Sequence, residues 1–207
     1  MEDVIEVYHR EHDPARPVVC IDEQPVQLIG ETRNPIPGAP NRPARYDYEY
    51  RRNGTANLFM VFAPLVGWRH VEVTPRRTAK DFGALLRYVV DEVYEEAERV
   101  VLVTDNLNVH GVGSLYEALD PATARRLAQK IEWHYTPKHG SWLNVAECEF
   151  AALSRQCLNR RTPTIGELRR RVEAWENERN DRAVEVNWRF TTADARIKLQ
   201  RLYPSTQ

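Results

Sequence analysis

Two short apolar stretches of the sequence each end in an aspartate. VVCI precedes Asp22 and VVLVT precedes Asp105, so both carboxylates follow a segment with the composition of a buried β-strand. Functional crevices of open α/β sheets lie beyond the carboxyl ends of the strands, where the two side chains converge if their strands are neighbours. Converging carboxylates repel one another and favour Mg²⁺ or Mn²⁺ between them. The pattern indicates metal-assisted phosphoryl transfer, although an aspartate after a strand is often only a turn former.

A third carboxylate is available in the segment WLNVAECEFAALSRQCL, which contains Glu147 and Glu149. Its apolar positions recur at helical spacing and define a buried stripe made of Ala146, Phe150, Leu153 and Cys157. The two glutamates flank this stripe on opposite sides. Periodicity alone does not decide which of them faces the aspartates.

The first half of the chain has the patterns of a strand-rich region. The predicted strands lie at residues 17–21, 46–50, 56–65 and 68–73. Asn53-Gly54 is typical of a type I′ turn and would join the second and third of them as a hairpin. Residues 1–16 are polar and indicate a connector or arm.

The second half alternates helical and strand patterns. The predicted helices lie at residues 78–97, 114–130 and from 143 onward, and the predicted strands at 99–104 and 131–135. Thr78 with Asp81, and Thr164 with Glu167, have the spacing of helix N-terminal caps. The order of elements predicts a mixed sheet covered by helices.

Composition excludes several classes of protein. The 29 Lys and Arg residues against 30 Asp and Glu give a formal charge of −1, which excludes a strongly cationic nucleic-acid tail. With 42% hydrophobic residues and no apolar run of membrane-spanning length, the sequence predicts a globular domain that neither crosses a membrane nor carries a secretion signal. Three cysteines at no metal-like spacing predict free thiols in a reducing cytosol.

Three segments of the sequence resemble a known family. VVCIDE, VTDNLNVH and YTPKHGSWLNVAECEFAALSRQCL are similar to the three acidic blocks of bacterial insertion-sequence transposases of the six-thirty family, in the mariner-like superfamily. Leu143, Asn144 and Glu147 match the Leu-Asn-x-x-Glu part of the third block, which selects Glu147 over Glu149. The closing segment WRFTTADARIKLQRLYP also resembles the C-terminal end of these proteins.

The resemblance implies a DDE endonuclease domain with a ribonuclease-H-like fold over residues 17–207, preceded by an arm at 1–16. Asp22, Asp105 and Glu147 would be its catalytic triad, holding two Mg²⁺ or Mn²⁺ ions for DNA strand cleavage and strand transfer. Expected partners are transposon ends and target DNA, with a homodimer as one assembly. The expected location is the bacterial cytoplasm, associated with the nucleoid when bound to DNA.

Two features depart from the family pattern. Relatives begin with helix-turn-helix modules that recognise terminal inverted repeats, and nothing before Pro17 has that pattern, so we expect such modules on a partner reading frame. The separation of Asp105 and Glu147, 147 − 105 = 42 positions, is longer than is common in the superfamily. The alternatives are a truncated remnant that binds DNA or dimerises without transposition, and a stand-alone nuclease acting on RNA–DNA hybrids.

Further residues have types that suit DNA contact. The expected contacts are Lys138, His139, Trp142, Arg160 and Arg161. His110 and His139 are placed to approach phosphate, although a hydrogen-bonded loop histidine is an equal interpretation of each. For the basic residues, a solvated helix face balanced by nearby acids is an equally good interpretation.

Overall fold

A five-stranded sheet in the order β3-β2-β1-β4-β5 forms the centre of the molecule in a computed structural model, which describes residues 1–107, 110–138 and 140–203. The strands are β1 (Val18–Glu31), β2 (Tyr50–Ala63), β3 (Trp68–Thr74), β4 (Val100–Thr104) and β5 (Ile131–Tyr135). The first three pair antiparallel, whereas β4 runs parallel to both β1 and β5. The predicted mixed sheet is confirmed.

Helices cover both faces of the sheet. They are α1 (Glu2–Tyr8), α2 (Ala79–Tyr88), α3 (Val112–Ala118), α4 (Pro121–Lys130), α5 (Ala146–Gln156), α6 (Ile165–Asp181) and α7 (Thr192–Lys198). Residues of α1, α5, α6 and α7 share one buried cluster, and residues of α2, α3 and α4 share the other. In β1, Val18 and Cys20 belong to the first cluster while Val19 and Ile21 belong to the second. This two-sided burial explains why β1 and β4 begin as continuous apolar runs.

The predicted hairpin turn at Asn53-Gly54 is wrong. β2 runs through both residues, and β1 continues past Ile21 to Glu31 beside it. The pairing shifts register between Gln27 and Ile29, close to where Gly54 adopts φ +109. Glycine here permits a β-bulge within a long ribbon, which uses the same positive φ that a type I′ turn would need. The connection between the two strands is instead the loop at residues 32–49.

The sequence predicts a polar arm at residues 1–16, but in the structure the start of this segment is a helix packed against the sheet. Val4, Ile5 and Val7 of α1 are fully buried, and the Tyr8 hydroxyl donates to the Leu143 carbonyl at 2.7 Å. The helical pattern of Val4, Val7 and Tyr8 is only two turns long, too short for periodicity to distinguish it from a linker. Residues 1–8 therefore belong to the packed body of the molecule.

Residues that cap helix N-termini mark where several of the helices begin. The predicted caps at Thr78 and Thr164 are confirmed, since their side chains accept from the backbone N–H of Asp81 and Glu167. The single helix predicted at 114–130 is wrong, because Asp120 caps a new helix with Pro121 in its first turn.

The three cysteines are free thiols, as predicted. Within the described ranges, no helix has the length and apolarity to cross a membrane.

Candidate active site

Strand register brings Asp22 and Asp105 side by side. Cys20 of β1 pairs with Val103 of β4, and each aspartate stands two residues further along the chain, Asp22 within β1 and Asp105 directly after β4. The condition on which the predicted convergence depends, that the two strands are neighbours, is met. Asp22 does not end its strand as predicted, because β1 continues in its pairing with β2 after β4 has ended at Thr104.

Glu147 lies across a cleft from Asp22. The two carboxylates line a surface cleft of about 350 Å³ together with Gln24, Ala151 and Ser154. Glu147 stands in the first turn of α5, where the helix dipole favours a negative charge. The structure thus brings Glu147 to β1 on the side of the sheet that α5 covers.

Asn144 fixes the start of α5 to β1. This buried side chain donates to the Ile21 carbonyl at 2.8 Å, and its Oδ1 accepts from the Ala146 N–H at 3.2 Å. The first contact lies directly before Asp22, and the second lies directly before Glu147. One amide therefore sets the position of both carboxylates, which gives the asparagine of the Leu-Asn-x-x-Glu segment a physical role.

Asp22 is in an environment that disfavours its charge. Burial, and then the nearby charges of Asp105, Glu23 and Glu147, raise the pKa of Asp22 to about 7, against a hydrogen bond from the Glu23 N–H that lowers it. No lysine or arginine among the described residues forms an ion pair with Asp22 or Glu147. The cleft therefore has an excess of negative charge that a cation would relieve.

A buried histidine, His110, contacts the Asp105 carboxylate. The His110 ring is fully buried; its Nδ1 contacts Asp105 Oδ1, and its Nε2 lies 2.6 Å from Glu23 Oε2. Burial of the ring lowers the pKa of His110, but hydrogen bonding and attraction from the two carboxylates outweigh it and raise the pKa to about 9. Glu23 is in turn paired with Arg77 at 3.3 Å. Asp105 is thus held by a chain of charged groups that ends at the surface.

Glu149 has a structural role. Its side chain is 3% exposed and forms ion pairs with Arg69 at 3.2 Å and with Arg179 at 2.7 Å. Arg69 is itself fully buried, and its Nη2 donates to the Val184 carbonyl at 2.6 Å. These contacts fix α5 to β3 and α6 on the side away from the cleft. The geometry favours Glu147 as the third carboxylate.

The residues expected to contact DNA are dispersed. Lys138 and Arg160 are exposed, and His139 lies outside the described residues. Trp142 is 40% exposed and stacks on Trp188 with ring centroids 6.5 Å apart. The Arg161 guanidinium donates to the Asp47 and Glu49 carbonyls at 2.7 and 2.9 Å, so it serves the fold instead of projecting toward a ligand.

Sequence reasoning missed Glu23 and Arg77 as parts of this site, and it identified Asn144 only as part of a family motif, without a role. A signal for Glu23 was present, since neighbouring residues of a strand point to opposite faces and Asp22 and Glu23 are adjacent. Asp22 and Glu23 both border the cleft, but the Glu23 carboxylate is buried against His110. The partner at position 110 is 87 residues away, and no local pattern connects the two positions.

The donor set has the chemistry of a divalent-cation site. Carboxylate oxygens suit Mg²⁺ or Mn²⁺, and a cation beside Asp22 would offset the burial and the neighbouring negative charges that raise its pKa. Within the described ranges, no three acidic, histidine or cysteine side chains are grouped closely enough to ligate one ion together. The residues therefore fit a cation by charge and donor type.

Several solved structures that share this fold are of a transposase. "Mos1 transposase paired-end complex with left transposon end" matches with a TM-score of 0.58 at 15% identity, covering 88% of this chain and 56% of that chain. "Crystal structure of the Mos1 mariner paired end complex with Mn" gives a TM-score of 0.57 at 16% identity, with 88% and 56% covered. The chain thus spans just over half the length of these proteins.

The isolated "catalytic domain of Mos1 mariner transposase" is matched over a larger share of its length. Its TM-score is 0.56 at 13% identity, with 88% of this chain and 83% of that chain covered. The predicted ribonuclease-H-like fold is confirmed by this likeness. A comparison with curated proteins finds no match. The sequence profile of one family, described as DDE superfamily endonuclease, matches residues 17–169, which include Asp22, Asp105 and Glu147. The chain belongs to the DDE superfamily endonucleases.

Proposed function

We propose that this chain is the catalytic domain of a bacterial insertion-sequence transposase of the six-thirty family, cutting and joining DNA strands in the cytoplasm. Membership of the DDE superfamily endonucleases and the three acidic blocks support this function. The observation that carries it is the placement of Asp22 and Glu147 on one cleft, with Asp105 on the neighbouring strand. The domain would comprise residues 17–207, preceded by residues 1–16, of which Glu2–Tyr8 form a helix packed against it.

Asp22, Asp105 and Glu147 would hold two Mg²⁺ or Mn²⁺ ions. When bound, such ions supply an activated water or 3′-hydroxyl and stabilise the leaving oxygen during in-line displacement at phosphorus. The side chains of this protein contribute the anionic cage and its rigidity. Asn144 sets the distance between α5 and β1, and His110 fixes one oxygen of Asp105.

The partners of the proposed reaction are transposon ends and target DNA. Helix-turn-helix modules would select the ends, and a pair of catalytic domains would join them. Recognition of the ends would rest with those modules, so we expect cleavage by this chain alone with little preference for sequence.

Nicking of supercoiled plasmid tests the proposal. Purified chain with Mg²⁺ or Mn²⁺ should convert supercoiled DNA to open circles, and chelation should stop the reaction. Asp22→Asn, Asp105→Asn and Glu147→Gln should each lower the rate more than about 100-fold, since even residues behind metal ligands cost 10- to 100-fold when changed. Glu173→Gln, on the exposed side of α6, is the matched control and should cut as the wild type does.

Different failures of this experiment identify different alternatives. Binding of DNA without metal-dependent nicking would favour the non-mobilising remnant. Cleavage of RNA–DNA hybrids in preference to duplex DNA would favour the stand-alone nuclease. Nicking that survives all three substitutions would place the reaction elsewhere in the protein.

A further inference from the structure

The end of the β1–β2 ribbon projects from the body of the domain. We call residues 32–55 the hairpin tip: the loop between β1 and β2 together with the first residues of β2. Every residue of the tip is exposed except Asp47, which is half-buried. Four large hydrophobic side chains are on its surface: Ile36 at 62% exposure, Tyr46 at 67%, Tyr48 at 86% and Tyr50 at 43%. Clustered exposed apolar groups of this kind are typical of binding surfaces.

The hairpin tip is positively charged in a protein that is not. It contains five arginines, at positions 33, 42, 45, 51 and 52, against the two acids Asp47 and Glu49. Its net charge is therefore +3, whereas the whole chain has a formal charge of −1. Within the described part of the chain, Arg42 and Arg45 are exposed and form no ion pair.

The body of the domain holds the hairpin tip in place. Arg161 donates to the carbonyls of Asp47 and Glu49, and its guanidinium lies 5.6 Å from the centre of the Tyr50 ring. Asn53 Nδ2 donates to the Pro163 carbonyl at 2.9 Å. Ile36 and Arg45 exchange two backbone hydrogen bonds of 3.0 Å across the loop. The tyrosines and arginines are thus presented by an ordered segment.

The charge and composition of the tip select its occupant. Arginines that lack acidic partners neutralise phosphates, and exposed aromatic rings stack on unpaired bases. A symmetric contact between the tips of two copies would bring like charges together. From Asp22 to Glu31, β1 advances nine positions, roughly 30 Å at about 3.3 Å per residue. A DNA strand leaving the cleft along the ribbon would reach the tip after roughly nine nucleotides at 3.4 Å each.

We propose that the hairpin tip is a DNA contact surface for the strand flanking the scissile phosphate, with Arg42 and Arg45 on backbone phosphates and Tyr46 and Tyr48 on unpaired bases. This inference rests on the proposed function, since it assumes that DNA is bound at the cleft. It assigns the tip to DNA that lies outside the reacting phosphate. The tip therefore contributes to binding and not to the chemical step.

Binding measured without divalent metal separates the tip from the chemistry. Fluorescence anisotropy of the full chain with a 30-base-pair duplex, with and without a ten-nucleotide single-stranded extension, gives affinity as a function of salt. In the double variant Arg42→Gln, Arg45→Gln, the slope of log K against log salt should fall by about 1.8, or about 0.9 per lost phosphate contact. The matched control Arg99→Gln, Arg125→Gln removes two exposed arginines outside the tip and should leave the slope unchanged.

The tyrosines have a separate readout. Tyr46→Ser with Tyr48→Ser should weaken binding of the extended DNA about tenfold or more, and leave the blunt duplex nearly unaffected, because stacking contributes about 1–3 kcal/mol per unpaired base. Tyr116→Ser, at 49% exposure on α3, is the control. These side chains are exposed, so unfolding temperatures of all variants should match the wild type.

Each contrary result has a distinct meaning. If the wild type binds DNA and the Arg42, Arg45 double variant shows the same salt slope as the wild type, the tip assignment is overturned. The proposed function is then unaffected. A wild-type chain that binds no DNA overturns both. Loss of a dimer in size-exclusion chromatography, in parallel with any loss of binding, would show that the tip is an interface between copies and overturn the assignment to DNA.

Discussion

Two glutamates of α5, only two positions apart, occupy opposite electrostatic environments. Glu149 is almost fully buried, yet two arginines satisfy its charge. Glu147 is less buried and faces Asp22 across a cleft, and within the described residues neither carboxylate has a basic side chain paired to it. Burial of charge thus indicates structure where the protein supplies the counter-charge. It indicates a ligand site where the protein leaves the counter-charge to something else.

Two histidines, His70 and His110, differ in the same way: both pair with carboxylates, but only one of the two networks reaches the cleft. His70 on β3 lies 3.1 Å from Glu176 on α6, an ion pair that joins two elements far from the cleft. His110 instead connects Glu23 to Asp105, so one end of its network reaches the cleft. A substitution at either histidine removes a cation from a carboxylate, but only the second should alter metal binding.

The largest expected effect comes from Glu149→Gln. Removing its charge leaves the fully buried Arg69 without a carboxylate, and breaking one side of a buried pair costs about 3–5 kcal/mol. For a chain of this size the unfolding temperature should fall by roughly 10 °C, at about 2–4 °C per kcal/mol. Glu173→Gln is the control in calorimetry. A Glu149 variant of normal stability that had lost metal binding would reverse the roles of the two glutamates.

The next effect concerns His110→Asn. The amide keeps a donor near Asp105 but shortens the reach to Glu23, so Asp105 is held less firmly. Outer partners of metal ligands cost 10- to 100-fold in affinity when changed, and we expect Mn²⁺ affinity by titration calorimetry to fall by about that factor. His70→Asn should leave Mn²⁺ affinity unchanged. Equal Mn²⁺ affinity in the His110 variant and the wild type would show that the network is only structural.

The sequence was sufficient for those parts of the site that depend on local pattern. Asp22 and Asp105 could each be placed after a buried strand because each follows an apolar run of strand length, whereas the adjacency of the two strands is visible only in the folded chain. The choice of Glu147 required the family resemblance, since a helical stripe flanked by two glutamates is symmetric. The buried pairing of Glu149 breaks that symmetry and is visible only in the folded chain.

Two sequence interpretations differ from the structure because the residue types involved suit more than one arrangement. Asn53-Gly54 has the residues of a hairpin turn, but the positive φ of Gly54 occurs inside a strand beside a register shift. Arg161 resembled a phosphate ligand because a guanidinium suits phosphate and a backbone carbonyl alike. Which of them it meets depends on the loop at residues 32–49, more than a hundred positions away.

The smallest effect comes from Asp22→Asn in metal-free protein, and it measures the missing counter-charge directly. The pKa of Asp22 is about 7 in the folded chain, above the ordinary 3.8, because burial and neighbouring carboxylates disfavour its charge. A raised folded pKa means that the contribution of Asp22 to stability is fully present below pH 3.8 and is lost as pH rises through about 7. The Asn variant has no charge to bury. At pH 8 it should therefore be more stable than the wild type by on the order of 1–2 kcal/mol, after allowing for partial exposure, and near pH 4 the two should be equal.

Glu173→Gln should show no such pH-dependent gain. Denaturant unfolding in chelator at the two pH values gives the difference. Added Mn²⁺ should then stabilise the wild type at pH 8 and close or reverse the gap, because an ion bound only to the folded state shifts the equilibrium toward it. An Asn variant that is less stable than the wild type at pH 8 would mean that the cleft already contains its own counter-charge, and the contrast with Glu149 would fail.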